Sequence, residues 1–177
     1  TKKGIITDEI KEVARYEGIS PEALASDISK GLSVITRNIV HHIKPLGIGK
    51  GLKTKVNANI GTSKDKASLD EELLKLKVII KYGADAVMDL STGGNIKKLR
   101  ETLLKESTIA IGTVPIYEAA IKAVEKYGMI AKMTPDDIFE TIKEHAEEGI
   151  DFITVHCGVT RKSIERLKNE GRILDVV

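Results

Sequence analysis

GADAVMDLSTGGN, residues 83–95, decides how the rest of the chain is read. Its apolar run of Ala84, Ala86, Val87 and Met88 ends on Asp89 and dissolves into Ser91, Thr92, Gly93, Gly94 and Asn95, just before a helical pattern begins. Apolar residues at consecutive positions predict a strand covered on both faces, as in a parallel sheet. The polar, glycine-containing finish predicts that the strand ends at a working rim, where Gly93 and Gly94 let backbone come close to a ligand.

The same rhythm repeats on either side. KVNANI (55–60) precedes SLDEELLKLKVIIKYG, whose Leu69, Leu73, Leu76, Ile79 and Ile80 recur at helical spacing between Ser68 as cap and Gly83 as stop. DAVMDL (85–90) precedes NIKKLRETLLKES, and TIAIGTV (108–114) precedes PIYEAAIKAVEKYG and then DDIFETIKEHAEEG. IDFITVHC (150–157) precedes TRKSIERLKNEG, and RILDVV opens a fifth run. Strand–helix units in series predict an α/β fold with parallel strands. Doubly wound sheets and (β/α)8 TIM-type barrels both satisfy this pattern. The residues near the strand ends, Asn57, Asn59, Met88, Asp89, Thr113, Thr154 and His156, favour the barrel, in which such ends converge on one mouth.

Residues 55–177 are therefore expected to form the first half of a barrel, about its first four βα units. Residues 1–54 are expected to form N-terminal helices and a capping segment. Within the latter, TDEIKEVARYEG is capped by Thr7 or Asp8, and SPEALASDISKG places Ser20 before Pro21, with Gly18 and Gly31 as stops. GLSVITRNIV reads as strand, and PLGIGKGLK as part of a hairpin or a capping lobe. A half barrel exposes two strand edges, so it must pair with its missing half, pair with a second copy or be poorly soluble, and a homodimer is expected. The opening on Thr1 and the closing ILDVV lead to the expectation of a longer polypeptide.

Composition narrows the function classes. Hydrophobic residues make up 41% and charged residues 31%, which suits a packed domain. The 28 Lys and Arg nearly balance the 26 Asp and Glu, and a net charge of +2 gives no reason to expect a polyanion partner. Two Phe, four Tyr and no Trp leave few platforms for stacked bases, so nucleic acid is not expected. The single cysteine, Cys157, excludes an intrachain disulfide and any cysteine cluster of its own. No run approaches the roughly 18 apolar residues of a membrane span, and a cytoplasmic protein is expected.

VNANIGTS (56–63), GADAVMDLSTGGN (83–95), GTVPIYEA (112–119) and DFITVHCGVT (151–160), in this order and at these distances, resemble the phosphomethylpyrimidine synthases of thiamine biosynthesis. These are radical S-adenosylmethionine enzymes on a (β/α)8 barrel. The resemblance implies conversion of 5-aminoimidazole ribotide to 4-amino-5-hydroxymethyl-2-methylpyrimidine phosphate, a carbon–carbon lyase reaction. It implies that Asn59, Met88, Tyr117 and His156 contact the ribotide. It also implies that a [4Fe-4S] cluster, S-adenosylmethionine and zinc serve the full-length protein. The cluster's Cys-x2-Cys-x4-Cys motif, the metal-binding histidines and a phosphate-binding Ser-Arg-Gly stretch are absent from this sequence. The chain alone is then expected to hold none of these cofactors and to be inactive. The alternative is a non-catalytic phosphate-ligand-binding module or a self-associating half barrel.

Each candidate residue also has a plainer explanation. Asn59 offers donor and acceptor in one plane, or serves the turn before Gly61. Met88 makes a soft contact to a flat heterocycle, or fills core. Tyr117, in the first turn of a helix started by Pro115, presents its phenol at the mouth or packs on the helix. His156 binds substrate or moves a proton, or is a satisfied core histidine. Asp89 is a buried acid that orients neighbours, or caps the next helix. Cys157 is expected to be a small buried residue facing the helical layer. His41 and His42, adjacent in an extended run, diverge too far to share a metal and are expected to be structural. His145, near a helix end, is expected to face solvent. GIGKG (47–51) lacks the Lys-Ser/Thr of a phosphate loop and is expected to be a flexible connection.

Overall fold

The computed structural model describes residues 4–171. Helices α1 (Asp8–Glu17) and α2 (Pro21–Ser29) lead into strands β1 (Ser33–Thr36) and β2 (Leu46–Gly49). Then come β3 (Asn57–Ile60), α3 (Leu69–Lys81), β4 (Ala86–Asp89), α4 (Ile96–Glu106) and β5 (Ala110–Thr113). Two helices, α5 (Pro115–Tyr127) and α6 (Pro135–Glu148), follow β5 with a single 3-10 turn between them (Ile130–Lys132). Strand β6 (Phe152–Ile153) and helix α7 (Arg161–Asn169) end the described chain.

Local chemistry sets the helix ends where the sequence predicts them. The Thr7 and Ser20 hydroxyls accept from Ile10 N and Ala23 N, and Ser68 accepts from Glu71 N, each satisfying one of the free donors of a first turn. Gly18 ends α1 in the left-handed conformation (φ 74°), which a residue with a Cβ adopts only at a cost. The segment between α2 and β3 is a hairpin: β1 and β2 pair antiparallel, Ser33 against Gly49 through Thr36 against Leu46. GIGK of GIGKG is thus its second strand and turn rather than a loose connection.

The second sheet has four parallel strands in the order β3-β4-β5-β6, so the α/β reading with parallel strands holds. Its two faces are chemically distinct. Ile60, Val87 and Ile111 pack with Leu76 of α3 and with Leu99 and Leu103 of α4. Leu76, Leu103 and Ile111 are almost wholly buried, and truncating one such residue to Ala costs about 2–5 kcal/mol. On the opposite face Ala86 and Ala110 meet Ile43, with Leu46 and Phe152 against them. Side chains here are small because other parts of the chain come close. A Cβ on Gly112 would stand 2.4 Å from the Phe152 ring.

Three expectations change. The run 150–157 pairs only as Gly112 with Phe152 and Thr113 with Ile153, because β5 ends at Thr113 and the chain then turns into α5 at Pro115. His156 and Cys157 follow the strand rather than lie in it. Cys157 is exposed, since the alternation that would turn it to the helical layer stops with the strand. Residues 37–44 form turns and bends rather than an extended run. The fifth run, RILDVV, lies outside the described residues.

Candidate functional site

The carboxyl ends of β3 and β4 are knitted together by side chains. Asp89, 4% exposed, accepts from Ser91 N (3.0 Å) and from the Ser91 hydroxyl. That hydroxyl in turn accepts from Thr62 N (3.0 Å), and Thr62 Oγ1 donates to Gly93 O (2.6 Å). Asn95, not Asp89, caps α4 through Lys98 N, so Asp89 is the buried acid that orients its neighbours. Burial pushes its carboxyl above the usual range, only partly offset by the Ser91 bonds and the charge of Arg100. Gly93 does bring backbone into close approach, but to the neighbouring loop. A Cβ there would lie 2.3 Å from the Ser63 carbonyl carbon.

On the face opposite the helices, Asn59 and Met88 stand directly across from each other in the β3–β4 ladder, with Gly112 next in line on β5. Asn59 is exposed, and its Oδ1 takes a long bond from Asn57 Nδ2 (3.4 Å). Met88 is buried at 8% exposure. Tyr117, in the first turn of α5, and exposed His156, beyond β6, have ring centroids 6.2 Å apart at an interplanar angle of 35°. The four residues therefore fall into two adjacent pairs at or just past the carboxyl ends of consecutive strands. Paired strand residues share a face, so the Asn59 amide and the Met88 thioether project side by side.

Behind Tyr117 lies a buried charged cluster that was not anticipated. Arg100 of α4, 1% exposed, donates through Nη1 to Glu118 Oε2 (2.7 Å) and through Nε to Glu148. Lys122 pairs with Glu118 Oε1 (3.0 Å). His145 does not face solvent: it is 2% exposed, with Nε2 2.8 Å from Glu118 Oε2 and Nδ1 2.8 Å from Thr113 Oγ1. Burial raises the Glu118 carboxyl, but hydrogen bonds from His145 and Arg100 and the Arg100 charge outweigh it. The group stays well below the usual carboxylate range. The signal was present in α6, where Thr141 and His145 are spaced four apart on one stripe and both are buried.

Among the described residues, no group of three or more His, Cys, Asp or Glu side chains is placed to hold a metal ion. Iron–sulfur clusters are held by several thiolates, and one exposed cysteine does not fit that donor set. Among the described residues, no helix is long and apolar enough to cross a membrane.

The family model described as Radical SAM ThiC family matches residues 1–177. A phosphomethylpyrimidine synthase of Thermodesulfovibrio yellowstonii is 62% identical over 176 residues, 99% of this chain and 41% of that protein. The phosphomethylpyrimidine synthase of Geobacter metallireducens is 54% identical over 178 residues, and that of Methanocaldococcus jannaschii 52% over 176; each match covers 99% of this chain and 41% of the relative. The chain thus spans about two-fifths of the length of these relatives. With every described motif inside the matched region, this chain belongs to the Radical SAM ThiC family.

Proposed function

We propose that this chain supplies one side of the substrate pocket of a phosphomethylpyrimidine synthase, the pocket that takes 5-aminoimidazole ribotide toward 4-amino-5-hydroxymethyl-2-methylpyrimidine phosphate in thiamine biosynthesis. The observation that carries this reading is the placement of Asn59 opposite Met88, and of Tyr117 beside His156, at the carboxyl ends of consecutive parallel strands. Parallel α/β proteins bind ligands at that end of the sheet. We read β3–β6 as the first four strands of a (β/α)8 barrel, with residues 1–54 as its capping segment. Among the described residues β3 and β6 are the edge strands of this sheet, which supports closure by further strands or by a second copy, as in a homodimer.

Each residue has a defined task in this pocket. The Asn59 amide both donates to and accepts from the aminoimidazole or its ribose. The Met88 thioether lies against the flat heterocycle. The Tyr117 phenol and the His156 imidazole hydrogen-bond at the opposite side, and the His156 ring nitrogens can accept or donate a proton there. Together they fix the ribotide's orientation and exclude water. We assign the [4Fe-4S] cluster, S-adenosylmethionine and zinc of the family, and with them the radical lyase step, to other parts of the full-length protein.

Isothermal titration of 5-aminoimidazole ribotide into the full-length protein tests the reading. Asn59→Ala and His156→Ala are each expected to weaken binding by about tenfold, the worth of one or two hydrogen bonds to a bound ligand. Tight binding that neither substitution changes overturns the site. Binding that persists without any turnover of ribotide by the full-length protein supports the non-catalytic alternative instead.

A further inference from the structure

We propose that His145 is a positioning residue for the mouth: by holding Thr113 on one ring nitrogen and Glu118 on the other, it fixes how Tyr117 stands relative to His156. The inference rests on the reading of those two rings as substrate contacts. Thr113 is the junction from which both rings are reached. Its carbonyl accepts from Thr154 N (2.8 Å), and His156 lies two residues further along. In its own chain direction, Pro115 starts α5, whose first turn carries Tyr117 and Glu118 side by side. The imidazole of His145 spans these two branches from behind, at 2.8 Å to each.

An ionised carboxylate only accepts, so Nε2 carries hydrogen toward Glu118, while Nδ1 and the Thr113 hydroxyl share the bond on the other side of the ring. This fixes the Thr113 rotor and leaves the strand end with one arrangement rather than several. Arg100 shares Glu118 Oε2 with His145, and Lys122 of the same helix pairs with Oε1. Helices α5 and α6 and the end of β5 thus meet at one imidazole, with α4 joined to it through Glu118.

The test is a double-mutant cycle in ribotide binding, measured by titration calorimetry on the full-length protein. His145→Phe keeps a flat buried ring and removes both nitrogens, and Thr113→Val keeps the branched shape and removes the hydroxyl. Each is expected to weaken ribotide binding by about tenfold or more, as misplacement of a binding group does. In a Tyr117→Ala background, the further loss from either is expected to fall below about twofold, because a residue acting through Tyr117 has nothing left to position. No loss, or the same loss in both backgrounds, overturns the proposal, and Thr113→Val carries the test should His145→Phe not fold.

Tyr117→Ala by itself tests the site reading. If that substitution is silent, the reading falls, and the positioning claim is then decided by NMR of protein labelled with 13C-tyrosine. There both variants are expected to shift or broaden the Tyr117 ring signals while leaving those of Tyr16 and Tyr82 in place. An unmoved Tyr117 overturns it.

Discussion

His41 Nδ1 lies 2.7 Å from Asp151 Oδ2, tying the turn that follows β1 to the residue that opens β6, across 110 positions of sequence. The Asp151 carboxylate is fully buried and takes two further donors, Asn38 N through Oδ1 and Ile111 N through Oδ2, each at 2.8 Å. Asn38 Nδ2 adds bonds to Ala146 O (2.7 Å) and Ile150 O (3.0 Å). The amino-terminal ends of β5 and β6, opposite the candidate site, are thereby closed by a polar clasp. His41 is structural, as its sequence suggested, but in a turn and through a carboxylate.

Replacing Asp151 should release that clasp. Asp151→Ala takes the acceptor from the half-buried Asn38 N–H, the buried Ile111 N–H and the His41 ring, and each unpaired buried group costs about 1–3 kcal/mol. A loss of at least about 3 kcal/mol in urea unfolding is expected, with Asp151→Asn, which keeps one acceptor oxygen, losing less. A drop below about 1 kcal/mol for the alanine variant would show that the clasp carries little of the stability.

Arg100 is the buried cation shared by two half-buried carboxylates. Arg100→Met fits the apolar stripe with Leu99 and Leu103 but leaves Glu118 and Glu148 without their shared partner. Removing one member of such a buried set costs about 3–5 kcal/mol. Denaturant melts of Arg100→Met and of Lys97→Met, whose exposed pair with Glu148 is 3.7 Å long, should differ by most of that amount. Exposed pairs contribute about 0–1 kcal/mol. Equal losses in the two variants would contradict the assignment.

The pH dependence of stability has two components of opposite sign. Glu118 is depressed below its ordinary 4.5, so its contribution is complete above that pH and is lost as pH falls toward the folded value. Glu118→Gln should therefore flatten the acid limb of a melting-temperature profile below about pH 4.5. Asp89 is raised above its ordinary 3.8, so its contribution is complete below that pH and is lost as pH rises through the folded value. Asp89→Asn should compare better with the parent protein at neutral pH than at about pH 3, since it is never charged. Parallel profiles for parent and variants would refute both assignments.

The strands were legible because each is an apolar run short enough to be a strand and followed by a helical stripe, and the caps Thr7, Ser20 and Ser68 were legible because capping is local chemistry. The buried cluster was not. Glu118 is 27 residues from His145 and 18 from Arg100, and nothing local marks one charge as the partner of another on a different helix. Proximity to a helix end suggested a solvated His145, while the Thr141 spacing pointed inward. Strand length failed at 150–157 for a related reason: how far β6 extends is set by where β5 stops, not by its own apolar residues. Of the site, the motifs marked Asn59, Met88, Tyr117 and His156, but only the ladder and the ring pairing show which stand together.

Gly112 gives the sharpest test of the face opposite the helices. A methyl added there would meet the Phe152 ring at 2.4 Å, closer than a Cβ tolerates, and the backbone at Gly112 is itself paired with Phe152 in the ladder. The ring or the whole of β6 must give way. Gly112→Ala should cost about 1–3 kcal/mol, the usual range for overpacking. If the clash is the cause, Phe152→Leu should recover part of that loss in the double variant, giving a coupling of about 0.5 kcal/mol or more between residues in contact. Strictly additive losses would instead place the cost in the β5 backbone. Because β6 leads directly to His156, the single variant should also weaken ribotide binding while the compensated pair should restore it, which ties the packing of this face to the proposed pocket.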